Sequence, residues 1–139
     1  MQEKDCLFCR IINGEIPSAK IYEDDYVYAF LDIAPGQQGH TLVVPKKHSA
    51  NILELDNDHG AKILEVIQKI APAIMNAMGA EGFNVIQNNN KVAGQTVFHT
   101  HFHIIPRKVN DGMGLWAPKP YETMEKMQEV ATKIIQALQ

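Results

Sequence analysis

His99-Thr100-His101-Phe102-His103 places a histidine at every second position, and Ile104-Ile105-Pro106 follows directly. Successive side chains of a β-strand point to opposite faces. Read as a strand, this run gathers three imidazoles on one face and turns Thr100, Phe102 and Ile104 to the other. A rise of ~3.3 Å per residue would set neighbouring rings roughly 6–7 Å apart at the backbone. On a helix the same spacing would scatter them. The β-branched and aromatic content of Val97, Phe98, Thr100, Phe102, Ile104 and Ile105 favours the strand. Such a segment commits the chain to a sheet with an apolar core behind it and an imidazole-lined face in front.

The partners of that strand are legible upstream. Residues 20–23 and 26–32 read as two strands around the Asp24-Asp25 turn, a hairpin. Residues 40–45 form a third strand stopped by Pro45, and residues 82–88 a fourth. Residues 5–13 read as a short helix ended by Asn13-Gly14. Residues 56–78 form a long helix with Asp56 or Asp58 as its cap and Gly79 at its end. Ile63, Ile67, Ile70, Ile74 and Met78 recur on its inner face. A last helix starts with Pro120 at its first position and buries Met124, Met127, Ala131, Ile134 and Leu138. Five strands, mostly hairpin-linked and antiparallel, with segregated helices, make an α+β fold. At 139 residues the chain reads as one domain, 1–139, with its core over 5–108 and an irregular tail and helix over 109–139.

Charge narrows the partners. A net charge of −3 gives no bulk attraction to nucleic acid or to an anionic membrane. Lys46-Lys47 and Arg107-Lys108 read as solvated strand ends, because no basic stripe forms around them. No apolar run approaches the ~18–20 residues of a membrane span. Met1-Gln2-Glu3-Lys4-Asp5 carries no signal-peptide core, so a cytoplasmic location is expected. The two cysteines, Cys6 and Cys9, are too few for a disulfide framework; their C-x-x-C spacing permits a metal clip or a redox pair.

Three readings compete for the histidine run: buried structural rings, a catalytic zinc site, and nucleophilic attack by the central ring on phosphorus. Three buried rings on one face would each need partners for two nitrogens, which weakens the first. Gly94-Gln95-Thr96 just upstream offers close backbone approach, an amide donor and a hydroxyl, which suit the oxygens of a phosphoryl group. A neutral imidazole is nucleophilic at one nitrogen only if the other holds the proton, so His101 is the natural nucleophile once a carbonyl fixes its tautomer.

The run His99-Thr100-His101-Phe102-His103-Ile104-Ile105 resembles the H-φ-H-φ-H-φ-φ signature of the histidine-triad (HIT) family. Cys6-Leu7-Phe8-Cys9-Arg10-Ile11-Ile12, Phe30-Leu31-Asp32-Ile33, the stretch from Gly39 to His48, and Asn88 through Pro106 resemble its Hint-like branch, particularly bacterial members. Thr100 departs from the more apolar residue usual there. The resemblance implies a HIT-like fold and action at the α-phosphate of a purine nucleoside phosphoramidate (AMP- or GMP-like), through a covalent nucleotidyl-histidine. It implies His101 as nucleophile, His103 at the phosphate and leaving group, His99 orienting His101, and His40 beside the triad. Gln95, Thr96 and Gly94 would hold the phosphate, Asn88 would lie near ribose and phosphate, and Asp32 would accept the ribose hydroxyls. Leu7, Phe8, Ile11, Phe30 and Ile33 match an apolar slot for the base. The resemblance further implies a homodimer with a continued sheet, and a structural zinc on Cys6, Cys9, His48 and His99, with no catalytic metal. A dinucleoside polyphosphate hydrolase of the same superfamily and a nucleotide-binding regulatory module are the alternatives. Trp116 and the tail after Pro106, where the match is weakest, would shape the leaving-group pocket.

Overall fold

A computed structural model describes residues 5–138; the reading of residues 1–5 as free of a leader falls almost wholly outside them. In chain order the elements are α1 (Leu7–Ile12), β1 (Lys20–Glu23), β2 (Val27–Leu31), β3 (Thr41–Pro45), α2 (Asn57–Met78), β4 (Gly82–Gln87), β5 (Phe102–Arg107) and α3 (Met124–Ala137), with 3₁₀ turns at Ile52–Glu54 and Lys91–Ala93. The strands form one antiparallel sheet ordered β1-β2-β3-β5-β4. The α+β class and the five-strand count match the sequence expectation.

Local chemistry explains the joints. Asp24 Oδ1 accepts from the backbone N–H groups of Tyr26 and Val27, both at 2.8 Å, which closes the β1–β2 turn. Asp56 caps α2 by accepting from the His59 N–H at 2.8 Å, and Gly79 ends it at φ 65°, a left-handed conformation glycine adopts without strain. Pro72 lies inside α2 without ending it.

The period of two sorts the sheet into two faces. Val27, Ala29, Val43 and Ile104 pack against the α2 stripe of Ile63, Val66, Ile67, Ile70, Ala71 and Ile74, with Phe102 partly buried beside them. Tyr28, Phe30, Leu42 and Val44 point the other way and meet Phe8 and Ile11 of α1. Each fully buried aliphatic chain contributes about 1.5–3 kcal/mol, so α2 is held chiefly by its stripe. β2 and β3 are apolar on both faces because both are covered.

The histidine run departs from the expected strand. β5 begins only at Phe102, so His99 and His101 precede it and only His103 is a strand residue. Thr100 is the reason: its N–H donates to Ser49 O at 2.8 Å and its hydroxyl meets Ser49 Oγ at 2.7 Å, so this stretch is tied to the loop after β3 instead of a sheet ladder. The C-terminal helix also departs. α3 starts at Met124, capped by Thr123, whose side chain accepts from the Lys126 N–H at 3.1 Å; an oxygen cap satisfies a donor that a leading Pro120 would leave open. Its expected buried stripe is exposed: Met124 is 74%, Ile134 58% and Leu138 80% accessible. Spacing identifies the apolar face of a helix, not what covers it.

Three side chains of the basic pairs are engaged. Lys46 Nζ lies 2.7 Å from Glu23, Lys47 Nζ 3.0 Å from Asp56, and Arg107 Nε 2.7 Å from Asp111. His59 is half-buried against Asp56 and Tyr26. Among the described residues no helix is long and apolar enough to cross a membrane.

Candidate active site

The α1-facing side of the sheet carries a cavity of about 800 Å³. Its apolar wall comes from Leu7, Phe8 and Ile11 of α1 and from Phe30, Leu31 and Leu42; Asp32, Ile33 and Thr96 stand nearby, and His101 and His103 complete it. Ligand pockets span ~300–1,000 Å³, so the space suits a nucleotide-sized molecule. An apolar slot ends in imidazoles and one carboxylate, and among the described residues the cavity lining contains no Lys or Arg.

Alternation on β5 aims His103 at this side, opposite Leu42 of β3 and Ile86 of β4. His101 is 6% exposed. Its Nδ1–H donates to the His99 carbonyl at 2.8 Å, because a carbonyl can only accept. Nε2 is therefore the unprotonated nitrogen. Phe8 stands edge-on to the His101 ring, with centroids 5.0 Å apart and planes at 88°. His103 lies 5.0 Å from His101, ring to ring, and its Nδ1 is 2.9 Å from His40 Nε2. Asp32 Oδ2 is 3.6 Å from the same His40 nitrogen, while Oδ1 accepts from the Ala34 N–H.

Burial sets the charge state. It lowers the His101 pKa below the ordinary histidine value, against the opposing pull of the His99 carbonyl. Burial, with the neighbouring rings of His101 and His40, brings His103 down to about 4. Burial lowers His40 as well, opposed by Asp32. At neutral pH these rings are uncharged: a lone pair on His101 Nε2 can attack an electrophile, and a ring N–H can donate.

His99 faces elsewhere. Fully buried, its Nε2–H donates to Pro45 O at 2.8 Å, which leaves Nδ1 unprotonated. That nitrogen lies 3.3 Å from Cys6 Sγ, 3.5 Å from Cys9 Sγ and 3.2 Å from His48 Nδ1, and Cys9 Sγ is 3.4 Å from His48 Nδ1. All four atoms lie within 4.8 Å of one another. A tetrahedral zinc with Zn–N of about 2.0–2.1 Å and Zn–S of about 2.3 Å separates its ligands by roughly 3.3–3.8 Å. The donor types, the spacing and the His99 tautomer therefore fit that ion, with Pro45 O orienting the ring.

Three expected ligand-holding residues sit differently. Gln95 is 1% exposed, and its amide is spent on the main chain: Nε2 donates to Ala50 O at 2.7 Å and Val97 O at 3.0 Å, and Oε1 accepts from the Asn90 N–H. It shapes the loop that delivers Thr96 and His101 instead of offering its amide to a phosphate. Gly94, at φ 100°, leaves room for the Asn88 amide, which lies 3.4 Å from where a Cβ would stand; neither lines the cavity. Ile16, Pro17, Ser18, Ala19, Leu31, Leu42 and Val97 line it without having been expected to. Only Leu42, alternating with Val43 on a strand, carried a readable signal.

The family model described as HIT domain matches residues 13–110. The adenosine 5′-monophosphoramidase hnt1 of Schizosaccharomyces pombe is 42% identical over 134 residues, covering 93% of this chain and 98% of that protein. The crystal structure of SMU.412c from Streptococcus mutans UA159 superposes with a TM-score of 0.92 at 42% identity, over 99% of this chain and 88% of that one. A zinc-bound histidine triad family protein from Mycobacterium smegmatis superposes with a TM-score of 0.76 at 34% identity, over 97% of this chain and 98% of that one.

Proposed function

The chain belongs to the HIT domain family, and from that premise we propose that it is an enzyme hydrolysing purine nucleoside phosphoramidates at the α-phosphate through a nucleotidyl-histidine. The observation that carries this reading is the 2.8 Å bond from His101 Nδ1–H to the His99 carbonyl, which leaves Nε2 unprotonated in a nucleotide-sized cavity. His101 Nε2 attacks the α-phosphorus and the P–N bond breaks. The leaving nitrogen accepts a hydrogen bond from the His103 N–H, takes its proton from water and departs as an amine. Attack makes the His101 ring cationic, and the His99 carbonyl keeps its Nδ1–H in place. The hydroxide that remains attacks the phosphorus, His101 leaves as a neutral ring, and the nucleoside monophosphate is released. Asp32 accepts the ribose hydroxyls at the mouth, and Leu7, Phe8, Ile11, Phe30 and Ile33 receive the base. Thr96 offers its hydroxyl and backbone near the phosphate.

The experiment is early quench of the protein with an adenosine phosphoramidate, followed by mass spectrometry for an adduct on His101. His101→Ala should abolish turnover and keep nucleotide binding; retained turnover sinks the assignment. Comparing phosphoramidates with dinucleoside polyphosphates separates this reading from the polyphosphate hydrolase.

Cys6, Cys9, His48 and His99 are the residues to hold a structural zinc, which when bound would pin α1 to the loops that carry His48 and His99. Metal analysis should find one ion per chain, and chelation should lower the melting temperature more than the turnover. A homodimer is the further part of the proposal. β4 is a sheet edge with Phe83 and Val85 exposed, and the apolar face of α3 is open to solvent. Light scattering should return twice the chain mass.

A further inference from the structure

The loop between β2 and β3 determines which nitrogen of His103 carries its proton. The Gly36 N–H donates to His40 Nδ1 at 3.0 Å. A backbone amide can only donate, so His40 Nδ1 is a lone pair and the proton of the neutral ring sits on Nε2. That Nε2–H points at His103 Nδ1 across 2.9 Å, with Asp32 Oδ2 at 3.6 Å. His103 Nδ1 must therefore accept, and the His103 proton is driven to Nε2. The opposite order would need a proton on His40 Nδ1, setting two donors against each other at the Gly36 amide. The same reasoning removes Asp32, His40 and His103 as a cation site although their ligand atoms converge. A metal on His40 Nε2 would require that forbidden Nδ1–H tautomer.

We infer that the Gly36 amide and His40 act as a tautomer lock, positioning residues that hold His103 as an Nε2–H donor toward the cavity. The consequence rests on the proposed reaction. With no Lys or Arg in the lining among the described residues, the donors these residues offer to a phosphate or a leaving nitrogen are neutral N–H and O–H groups. A reversed His103 would present a lone pair to an anion instead. The lock is held in turn from the far end of the chain: Gln37 Nε2 donates to Asp111 O at 3.0 Å, and the Met113 thioether lies 3.4 Å from where a Gly36 Cβ would stand.

Nitrogen-resolved NMR of histidine-labelled protein without substrate reads the lock directly. At neutral pH, His40 and His103 should both show protonated Nε2 and unprotonated Nδ1. Gly36→Ala keeps the amide; its Cβ would stand 3.4 Å from the flexible end of Met113 and 3.7 Å from His40 Nδ1, both ordinary contacts, and both tautomers should be kept. Gly36→Pro deletes the amide and should mix both tautomers, with kcat roughly ten- to a hundredfold below that of Gly36→Ala and KM within about twofold; losing one such donor costs up to ~10²–10³ in kcat. Should Gly36→Pro fail to fold, His40→Gln and His40→Leu replace it. The glutamine places an amide N–H near the former Nε2 and should keep His103 protonated at Nε2, whereas the leucine should not. A wild-type His40 protonated at Nδ1, or a His103 tautomer indifferent to these substitutions, overturns the inference. A spectrum as expected in a protein that hydrolyses no phosphoramidate would instead remove the proposed function and leave the lock standing.

Discussion

Phe8 is where packing and reactivity meet, and Phe8→Leu separates them. The ring is 4% exposed and makes edge contacts with His101 at 5.0 Å, Phe30 at 5.5 Å and His99 at 5.9 Å. Leucine keeps most of the apolar burial and loses the three ring pairs, each contributing about 0.5–1.5 kcal/mol. A total of roughly 1.5–4.5 kcal/mol is expected, a drop of roughly 5–15 °C in melting temperature for a chain of this size. The second effect is on titration. Burial is the main cause of the lowered His101 pKa, and Phe8 supplies part of that burial. Opening the ring to water lets the pKa rise toward its ordinary value. The nucleophile works unprotonated, so the rate falls as pH drops through this pKa, and a raised pKa moves the acid limb to higher pH. Turnover of an adenosine phosphoramidate should fall more at pH 6 than at pH 8, with melting followed by circular dichroism on the same samples. A destabilised variant whose acid limb stays put, or moves to lower pH, would refute the link between Phe8 and the His101 ring.

Ile63→Ala empties a fully buried site on α2, away from the cavity, and should cost about 2–5 kcal/mol in urea unfolding with kcat at 25 °C unchanged. Gly39→Ala and Gly79→Ala both force alanine into left-handed backbone, but only at Gly39 would the new Cβ stand 2.6 Å from Met78 Cγ. Gly79→Ala should cost about 1–2 kcal/mol, Gly39→Ala clearly more, with activity lost only at Gly39 beside His40; equal unfolding midpoints would contradict this. His99 and His103 titrate near 4 in the fold against about 6.5 unfolded. Below about pH 6.5 the unfolded chain binds more protons, so stability is full above that pH and declines as pH falls toward 4. In metal-free protein the loss should reach at most about 3 kcal/mol for His99 and about half that for the more exposed His103. Urea midpoints that stay flat from pH 7.5 to 5 would show that these rings ionise freely in the fold.

Residue patterns that repeat locally were readable. The α2 stripe and the Gly79 stop follow from spacing and backbone preference alone, whereas Asp56 and Asp58 were equal candidates for the cap until the His59 N–H chose Asp56. The linked motifs around the histidines sufficed for the family. Gln95 shows where this ends: an amide beside a glycine reads equally as a phosphate donor or a loop brace. The choice depends on Ala50 O and Asn90 N–H, which the chain brings near only on folding.

By itself the sequence determined the α+β class, the alternation that turns His103 and Ile104 to opposite faces, and the set of side chains able to do the chemistry. Tertiary structure alone decided where β5 begins, that His99 turns to the cysteines while His101 turns to the cavity, and which nitrogen of each ring holds its proton. The reason is range. Propensity and periodicity act over one or two turns of chain, whereas an imidazole takes its tautomer from whichever donor or carbonyl lies within about 3 Å. Pro45 sets it for His99 and His40 for His103, each tens of residues from the ring it governs, while His99 and Gly36 act on the nearby rings of His101 and His40.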